Sequence, residues 1–346
     1  MLAAVPLLLI RLAAPTLAGI ALAGLAGAAQ ALPLWDRETQ IRLAGSLVRI
    51  EAITRSGGYS FGSGVLIAPK RLVTNCHVTR DAVQVSAVQG GQRFPAAAQA
   101  ADVHHDLCVL EIPGVTGTPA ATGGPPLTAG QPLLGMGFTG GIGLQFSEGE
   151  LASLHLLDGQ RVLRSTNSFT SGASGGALFD AQGRLRGVLT FRLRGGPAHY
   201  FSVPAEWIAE VTADPSRFVP VAPLEGRTFW EQEAPVPFLR ATTLGFSQQW
   251  QALARFAQGW SDDEPSESAA PLALGEALER LGQWERAELA LTRALAIDPA
   301  LAEGWWRLGR VLAQLGRVPE ARAALARLVP LNDTLARQLA ALLDNR

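Results

Sequence analysis

The chain has 346 residues, 48% of them hydrophobic, which indicates two domains and enough apolar material for a sizeable core. Its 29 Lys and Arg residues nearly balance its 30 Asp and Glu residues, and no run of basic residues stands out. This balance argues against nucleic acid as a partner.

The first thirty-one residues differ in composition from the rest. Residues 12–29 are uncharged and almost wholly apolar, Arg11 precedes them, and Ala29-Gln30-Ala31 offers small residues for cleavage. This pattern predicts a secretory signal peptide over residues 1–31. An uncleaved anchor is the alternative, because eighteen apolar residues just suffice to span a bilayer. Either way we expect an exported protein, periplasmic or extracellular, with a membrane partner only if this segment is retained.

Between residues 41 and 202, short apolar runs alternate with clusters of Gly, Pro, Asn and Asp. Runs of this spacing, without long helical periodicity, predict an all-β sandwich or barrel. Residues 202–208 then predict the start of a helix, with Pro204 in its first turn.

A Gly/Ser-rich stretch, residues 168–176, stands just before the apolar run 177–179. Its glycines let the backbone turn so that amides converge on one point, where a developing oxyanion can be held. The stretch therefore predicts Ser174 as a nucleophile. A plain surface turn between strands is the other interpretation.

A histidine and an aspartate upstream supply the rest of this chemistry. His77 ends the strand-like run 71–78, and Asp106 precedes the apolar run 107–110. A serine hydroxyl becomes nucleophilic when an imidazole takes its proton and a carboxylate orients the imidazole. The chain order His, Asp, Ser matches one known order of such triads.

Two further histidines, His104 and His105, are adjacent in sequence. Neighbouring strand residues point to opposite faces, and no Cys or His partner stands at ligand spacing. We therefore expect no metal site and no cofactor.

Together these motifs resemble the trypsin-like serine peptidases, most closely the bacterial HtrA/Deg branch. The segments that carry the resemblance are residues 62–67, 74–78, 105–110 and 172–176. It covers about residues 40–212 and implies two six-stranded β-barrels with the active site in the cleft between them. The resemblance assigns His77 as general base, Asp106 as its orienting carboxylate and Ser174 as nucleophile.

The same resemblance implies an oxyanion hole from the amides of Gly172 and Ser174, with Ala173 between them as a third donor. It places the hydroxyl of Thr190 beside the buried aspartate. Ser168 holds the position that sets trypsin's preference, and this neutral residue favours small or apolar side chains on the acyl side of the cleaved bond. Ala173 replaces the aspartate of zymogen-type members, which argues against activation by N-terminal clipping.

Cys76 adjoins the histidine, and Cys108 lies two residues beyond the aspartate. If His77 and Asp106 touch, the two cysteines cannot lie far apart. A disulfide in an oxidising compartment and a pair of buried free thiols both remain open.

The C-terminal part is expected to be helical. Residues 215–245, with five prolines between positions 215 and 237, predict an extended linker. Residues 246–260 predict one amphipathic helix, which can be a degenerate repeat.

The sequence then repeats with a period of 34 residues. The repeated positions are Leu274, Gly275, Leu278, Leu281, Gly282, Ala287, Leu291 and Arg293, which return as Leu308, Gly309, Leu312, Leu315, Gly316, Ala321, Leu325 and Arg327. This pattern resembles the tetratricopeptide repeat. It predicts a helical domain over 246–346, with repeats at 268–301 and 302–335 and a capping helix at 332–343. An ordinary helical bundle is the alternative.

We therefore predict a peptidase domain over residues 35–214 and an exported serine endopeptidase acting on polypeptides. The resemblance of the repeats implies a protein or peptide partner, or recruitment of the substrate. The alternative is a catalytically silent scaffold that uses the same shell only for binding.

Overall fold

The computed structural model describes residues 34–140, 143–193 and 199–345. The predicted signal peptide lies outside these residues. The described residues from Trp35 onward form one compact unit. Within the described part of the chain, no helix is both long and apolar enough to cross a membrane.

The β region opens with a seven-stranded antiparallel sheet in the order β5-β4-β1-β2-β3-β7-β6. Its elements are α1 (Arg37–Ala44), β1 (Leu47–Thr54), β2 (Tyr59–Ala68), β3 (Arg71–Thr74), α2 (Cys76–Thr79), β4 (Ala82–Gln89), β5 (Gln92–Pro95), β6 (Ala98–Asp102) and β7 (Leu107–Glu111). The β-branched and leucine side chains on its inner face are buried.

Six more strands close into a barrel in the order β10-β13-β12-β11-β8-β9. The elements are β8 (Pro132–Thr139), β9 (Gly143–Leu157), β10 (Gln160–Ser165), β11 (Ala177–Asp180), β12 (Leu185–Leu193), β13 (His199–Pro204) and α3 (Trp207–Thr212). The all-β expectation is confirmed for this region, but only one of the two expected six-stranded barrels is seen as such among the described residues, because the first unit is a seven-stranded sheet.

The helix expected to start near residue 202 begins instead at Trp207. Residues 202–204 belong to β13, where Val203 pairs with Val188 and is fully buried. Strand pairing and burial of Val203 thus outweigh the helix-start signal of the proline.

The predicted linker is folded against the β region. After a 3₁₀ turn at Pro215–Arg217, residues 218–236 (the connecting segment) run along the seven-stranded sheet. Leu224 N donates to the Arg80 carbonyl at 2.7 Å, and Phe229 N donates to the His104 carbonyl at 2.9 Å. This segment is therefore attached to both loops that carry the predicted base and carboxylate.

Seven helices follow among the residues described up to Asn345. They are α4 (Pro237–Phe246), α5 (Trp250–Asp263), α6 (Ala269–Arg280), α7 (Trp284–Ile297), α8 (Ala302–Gln314), α9 (Val318–Leu328) and α10 (Asp333–Asp344). The glycines of the repeat allow close helix packing: a Cβ on Gly275 would lie 2.6 Å from Leu291, and one on Gly309 would lie 2.4 Å from Leu339.

The helix expected over residues 246–260 forms as α5 but begins only at Trp250, because the chain turns between α4 and α5. Gln248 adopts φ +55°, and Gly282 and Gly316, 34 and 68 positions later, adopt +70° and +75°. All three end a helix in the left-handed conformation that glycine favours. The shared geometry supports α4–α5 as a degenerate first repeat.

The helices pack on the closed barrel. Phe238 stacks on His155 with ring centroids 4.6 Å apart, and Arg164 pairs with Glu303 at 3.4 Å. Burial lowers the pKa of His155 to about 3, so its ring is neutral at this contact at physiological pH.

Candidate active site

Strand register brings the predicted base and carboxylate together. Thr74 of β3 lies opposite Cys108 of β7 in the antiparallel ladder. Two steps further, Cys76 N donates to the Asp106 carbonyl at 3.3 Å. The residue after Cys76 therefore emerges beside the Asp106 side chain.

The His77–Asp106 pair has the geometry of a general base held by a carboxylate. His77 Nδ1 lies 2.7 Å from Asp106 Oδ2, and the His77 backbone N–H donates to Oδ1 at 2.8 Å. Asp106 is fully buried and adopts φ +59°, a conformation that aspartate tolerates better than most residues. The carboxylate thus selects the tautomer with hydrogen on Nδ1 and leaves Nε2 able to accept a proton.

The Gly/Ser-rich turn presents two amides. Gly172 has φ +98°, and Ala173 N donates to the Thr170 carbonyl at 3.1 Å. Among the described residues, the amides of Gly172 and Ser174 donate to no other protein group. The expectation of Ala173 as a third oxyanion donor is therefore wrong, because its N–H is already used within the turn.

The serine and histidine segments approach each other across Gly62. A Cβ there would lie 2.6 Å from Val78 and 3.1 Å from the Ser174 carbonyl. The Ser174 hydroxyl donates to the Thr190 carbonyl at 3.1 Å. Within the described chain, no hydrogen bond joins this hydroxyl to the His77 ring. Such contacts often tighten only when substrate binds.

Thr190 was expected beside the buried aspartate, and among the described residues its hydroxyl makes no hydrogen bond to the Asp106 carboxylate. Its hydroxyl donates to the Val188 carbonyl at 2.7 Å and accepts from Asn75 Nδ2 at 3.2 Å. Asn75 Nδ2 also lies 2.9 Å from the backbone carbonyl of Asp106. Thr190 therefore supports the aspartate loop only through Asn75.

Trp230 of the connecting segment donates to the carboxylate instead. Its Nε1 lies 3.0 Å from Asp106 Oδ2, and its ring meets the His77 ring edge-on with centroids 5.4 Å apart. The Trp230 ring also stacks nearly parallel to the Phe191 ring, with centroids 5.1 Å apart. No sequence signal marked this tryptophan, which stands 124 residues from the aspartate.

An ion pair holds the segment next to Trp230. Glu231 pairs with Arg80, three residues after His77, and also accepts from Thr228 N at 3.2 Å. Burial raises the pKa of Glu231, but the hydrogen bonds from Arg80 and Thr228 and the positive charge of Arg80 together outweigh burial, so the pKa is lowered. The pair therefore stays ionised at neutral pH.

The two cysteines, Cys76 and Cys108, form a disulfide with Cα atoms 4.9 Å apart. Both are completely buried. The bond joins the histidine helix to the strand that follows the aspartate.

A small pocket adjoins the nucleophile. Its cavity measures about 20 Å³, and it is lined in part by Ser168, Phe169 and Ala173. Ser168 Oγ lies 3.4 Å from Ser147 Oγ. The pocket is therefore narrow, and the side chains at its floor carry no charge. Thr190, also predicted for the pocket, is not among the residues that line this cavity.

Comparison with known proteins decides the class of the β region. Residues 62–188 match the trypsin-like peptidase domain, and residues 251–302 and 272–336 match tetratricopeptide repeats. The β region therefore has the fold of the trypsin-like peptidase domain. The helical repeats belong to a class that mediates protein interactions.

Named relatives agree with this assignment. The chain is 31% identical over 140 residues to the serine endoprotease DegS of Escherichia coli K12, covering 38% of this chain and 39% of DegS. It is 25% identical over 139 residues to the serine protease Rv3671c of Mycobacterium tuberculosis, covering 37% of this chain and 35% of that protein. The chain thus spans well under half of these curated relatives.

The active-form crystal structure of the Rv3671c protease from M. tuberculosis superposes with a TM-score of 0.50 at 23% identity. The match covers 54% of this chain and 87% of that one. It shows a shared fold.

Removing the indole N–H of Trp230 tests its role in the peptidase domain. In Trp230→Phe we expect kcat to fall about tenfold to a hundredfold with KM nearly unchanged, because a hydrogen bond to a charged group contributes about 1.5–3 kcal/mol. Steady-state kinetics on a cleaved peptide measures this. Trp35→Phe, at a buried tryptophan of the same domain, is the matched control. Equal kcat in wild type and Trp230→Phe would contradict the role.

Proposed function

We propose that this protein is an exported serine endopeptidase that hydrolyses polypeptides through Ser174, His77 and Asp106. The observation that carries the proposal is the buried Asp106 carboxylate, which holds His77 Nδ1 at 2.7 Å. A nucleophile turn with two unengaged amides lies across Gly62 from that pair. A scaffold that only binds has no need for this arrangement.

The residues divide the reaction between them. His77 Nε2 takes the proton of the Ser174 hydroxyl as its oxygen attacks the peptide carbonyl carbon. The amides of Gly172 and Ser174 receive the negative charge on the carbonyl oxygen, and one such donor contributes about 2.7–4 kcal/mol to the transition state. His77 then gives the proton to the leaving amine. Water repeats the sequence on the acyl-enzyme and frees Ser174.

The pocket supports a preference for small, uncharged side chains on the acyl side of the cleaved bond. A neutral serine at position 168 offers no charge for Lys or Arg, and the cavity of about 20 Å³ has little room. Profiling cleavage of a peptide library gives this preference directly.

Export rests on the apolar N-terminal segment and on the disulfide. Disulfides persist in oxidising compartments such as the periplasm and are rare in the cytosol. A buried Cys76–Cys108 bond therefore supports folding outside the cytoplasm.

The repeats supply a place for a partner or substrate segment. A cavity of about 600 Å³ lies between the closed barrel and the helices α4, α5, α6 and α8. Arg164, Arg280 and Arg307 line it together with Glu276 and Glu303. A peptide bound there would contact the repeats and the peptidase barrel at once. Peptides retained by the Ser174→Ala protein would identify such ligands.

Labelling with a fluorophosphonate probe tests the enzyme against the silent scaffold. We expect the wild-type chain to attach the probe at Ser174, whereas Ser174→Ala and His77→Ala remain unlabelled. Ser171→Ala is the matched control, because Ser171 is an exposed serine of the same turn. A folded wild-type chain that never reacts, with or without added peptides, would favour the scaffold.

A further inference from the structure

Two histidines outside the proposed triad face one carboxylate. His104 Nε2 and His105 Nε2 lie 3.0 and 3.1 Å from Asp158 Oδ2. The strand alternation expected to separate the two rings does not apply, because residues 103–106 form a turn. Asp158 comes from a different place, the turn between β9 and β10 of the closed barrel. The ligand atoms of all three side chains lie within 4.8 Å of one another.

On each ring, the nitrogen that faces away from Asp158 contacts a second polar side chain. His105 Nδ1 lies 2.7 Å from Asp102 Oδ2, and its ring stacks on Trp207 with centroids 3.9 Å apart. His104 Nδ1 lies 3.4 Å from Gln232 Nε2 of the connecting segment. A carboxylate on the far nitrogen is the usual support of a metal-binding histidine, since it fixes the tautomer and turns the other nitrogen toward the metal.

We propose that His104, His105 and Asp158 bind a zinc ion, with water in the remaining coordination position. Two imidazoles and one carboxylate suit zinc, whereas calcium and magnesium prefer oxygen ligands throughout. Zinc bonds of about 2.0–2.1 Å in tetrahedral geometry separate ligand atoms by roughly 3.3 Å. The observed 3.0 and 3.1 Å therefore need to widen by only a few tenths of an ångström. The Asp158 side chain is 52% exposed, which leaves an entry path from solvent.

The site joins three parts of the chain beside the active site. His105 directly precedes Asp106, and Asp158 belongs to the closed barrel. In the connecting segment, the Phe229 N–H donates to the His104 carbonyl at 2.9 Å. Bound zinc therefore fixes the aspartate loop relative to the barrel and to the segment that carries Trp230. Neither His77 nor Asp106 is a ligand, so the ion connects these segments and takes no part in the proposed peptide hydrolysis.

Zinc binding to the untagged full chain, freed of metal with a chelator, tests the proposal. Titration calorimetry is expected to show one zinc per chain, with a dissociation constant below about 100 µM. Asp158→Asn and His104→Gln are expected to weaken binding at least tenfold, as even outer-shell changes cost about 10–100-fold. Cobalt as a probe should give the absorption of a nitrogen- and oxygen-coordinated ion in wild type only.

Two controls separate this site from the triad and from general stability. His77→Ala is expected to bind zinc as wild type does, and so is Asp262→Asn, an exposed carboxylate of the helical domain. Zinc is expected to raise the thermal unfolding midpoint of wild type but not of Asp158→Asn. No binding at about 100 µM zinc, or equal binding in wild type and Asp158→Asn, would overturn the proposal whether or not the protein is a protease.

Discussion

Asp106→Asn is expected to lower kcat about 10⁴-fold, as the equivalent change does in the trypsin-like triad. The carboxylate accepts three N–H groups, from the His77 backbone, the His77 ring and Trp230. An asparagine offers one oxygen and one NH₂ group. In either orientation its NH₂ therefore faces an N–H donor. Where it faces the ring, it also selects the tautomer that cannot take the serine proton.

Asp106→Asn changes the chemistry of the side chain without adding backbone strain, because asparagine also tolerates the positive φ of residue 106. Steady-state kinetics and probe-labelling rates measure the loss, and circular dichroism confirms the fold. Asp81→Asn is the matched control: this carboxylate lies in the same domain, is 60% exposed and pairs only with Arg55 among the described residues. A kcat within tenfold of wild type in Asp106→Asn would remove Asp106 from the mechanism.

Removing the disulfide should have the next largest effect. Replacing both Cys76 and Cys108 with alanine opens a loop with a sequence separation of 32 residues. The chain-entropy model gives a loss of roughly 3–4 kcal/mol in the free energy of unfolding. The unfolding equilibrium constant of the peptidase domain then rises by roughly 10²–10³-fold. Guanidinium unfolding followed by tryptophan fluorescence measures the shift in midpoint.

Chemical reduction of the Cys76–Cys108 disulfide in the wild-type protein provides a second test of this prediction. Both sulfur atoms are buried, so native wild type should resist a mild reductant, whereas wild type reduced in denaturant and refolded should match the double variant. The register of β3 with β7 still positions His77 near Asp106 in that variant. We therefore expect kcat to fall far less than in Asp106→Asn. Coincident unfolding curves for the double variant and oxidised wild type would contradict a stabilising role.

Local pattern was sufficient for much of the fold. Short apolar runs with turn residues predicted the β region, and a 34-residue period predicted paired helices whose glycines pack against leucines. The helix break at Gln248 escaped prediction, because glutamine there replaces the glycine that marks the same turn in the later repeats. Strand pairing likewise overrode the proline signal near residue 204.

By itself the sequence determined which side chains we propose for the chemistry, since His77, Asp106 and Ser174 each lie in a short motif that a local strand or turn explains. Only the tertiary structure decided what surrounds them. Trp230 reaches Asp106 across 124 residues, and Asp158 reaches His104 and His105 from the closed barrel. Such contacts depend on how segments that are distant in sequence pack together. Packing of this kind produces no periodic pattern in the sequence from which it could be predicted.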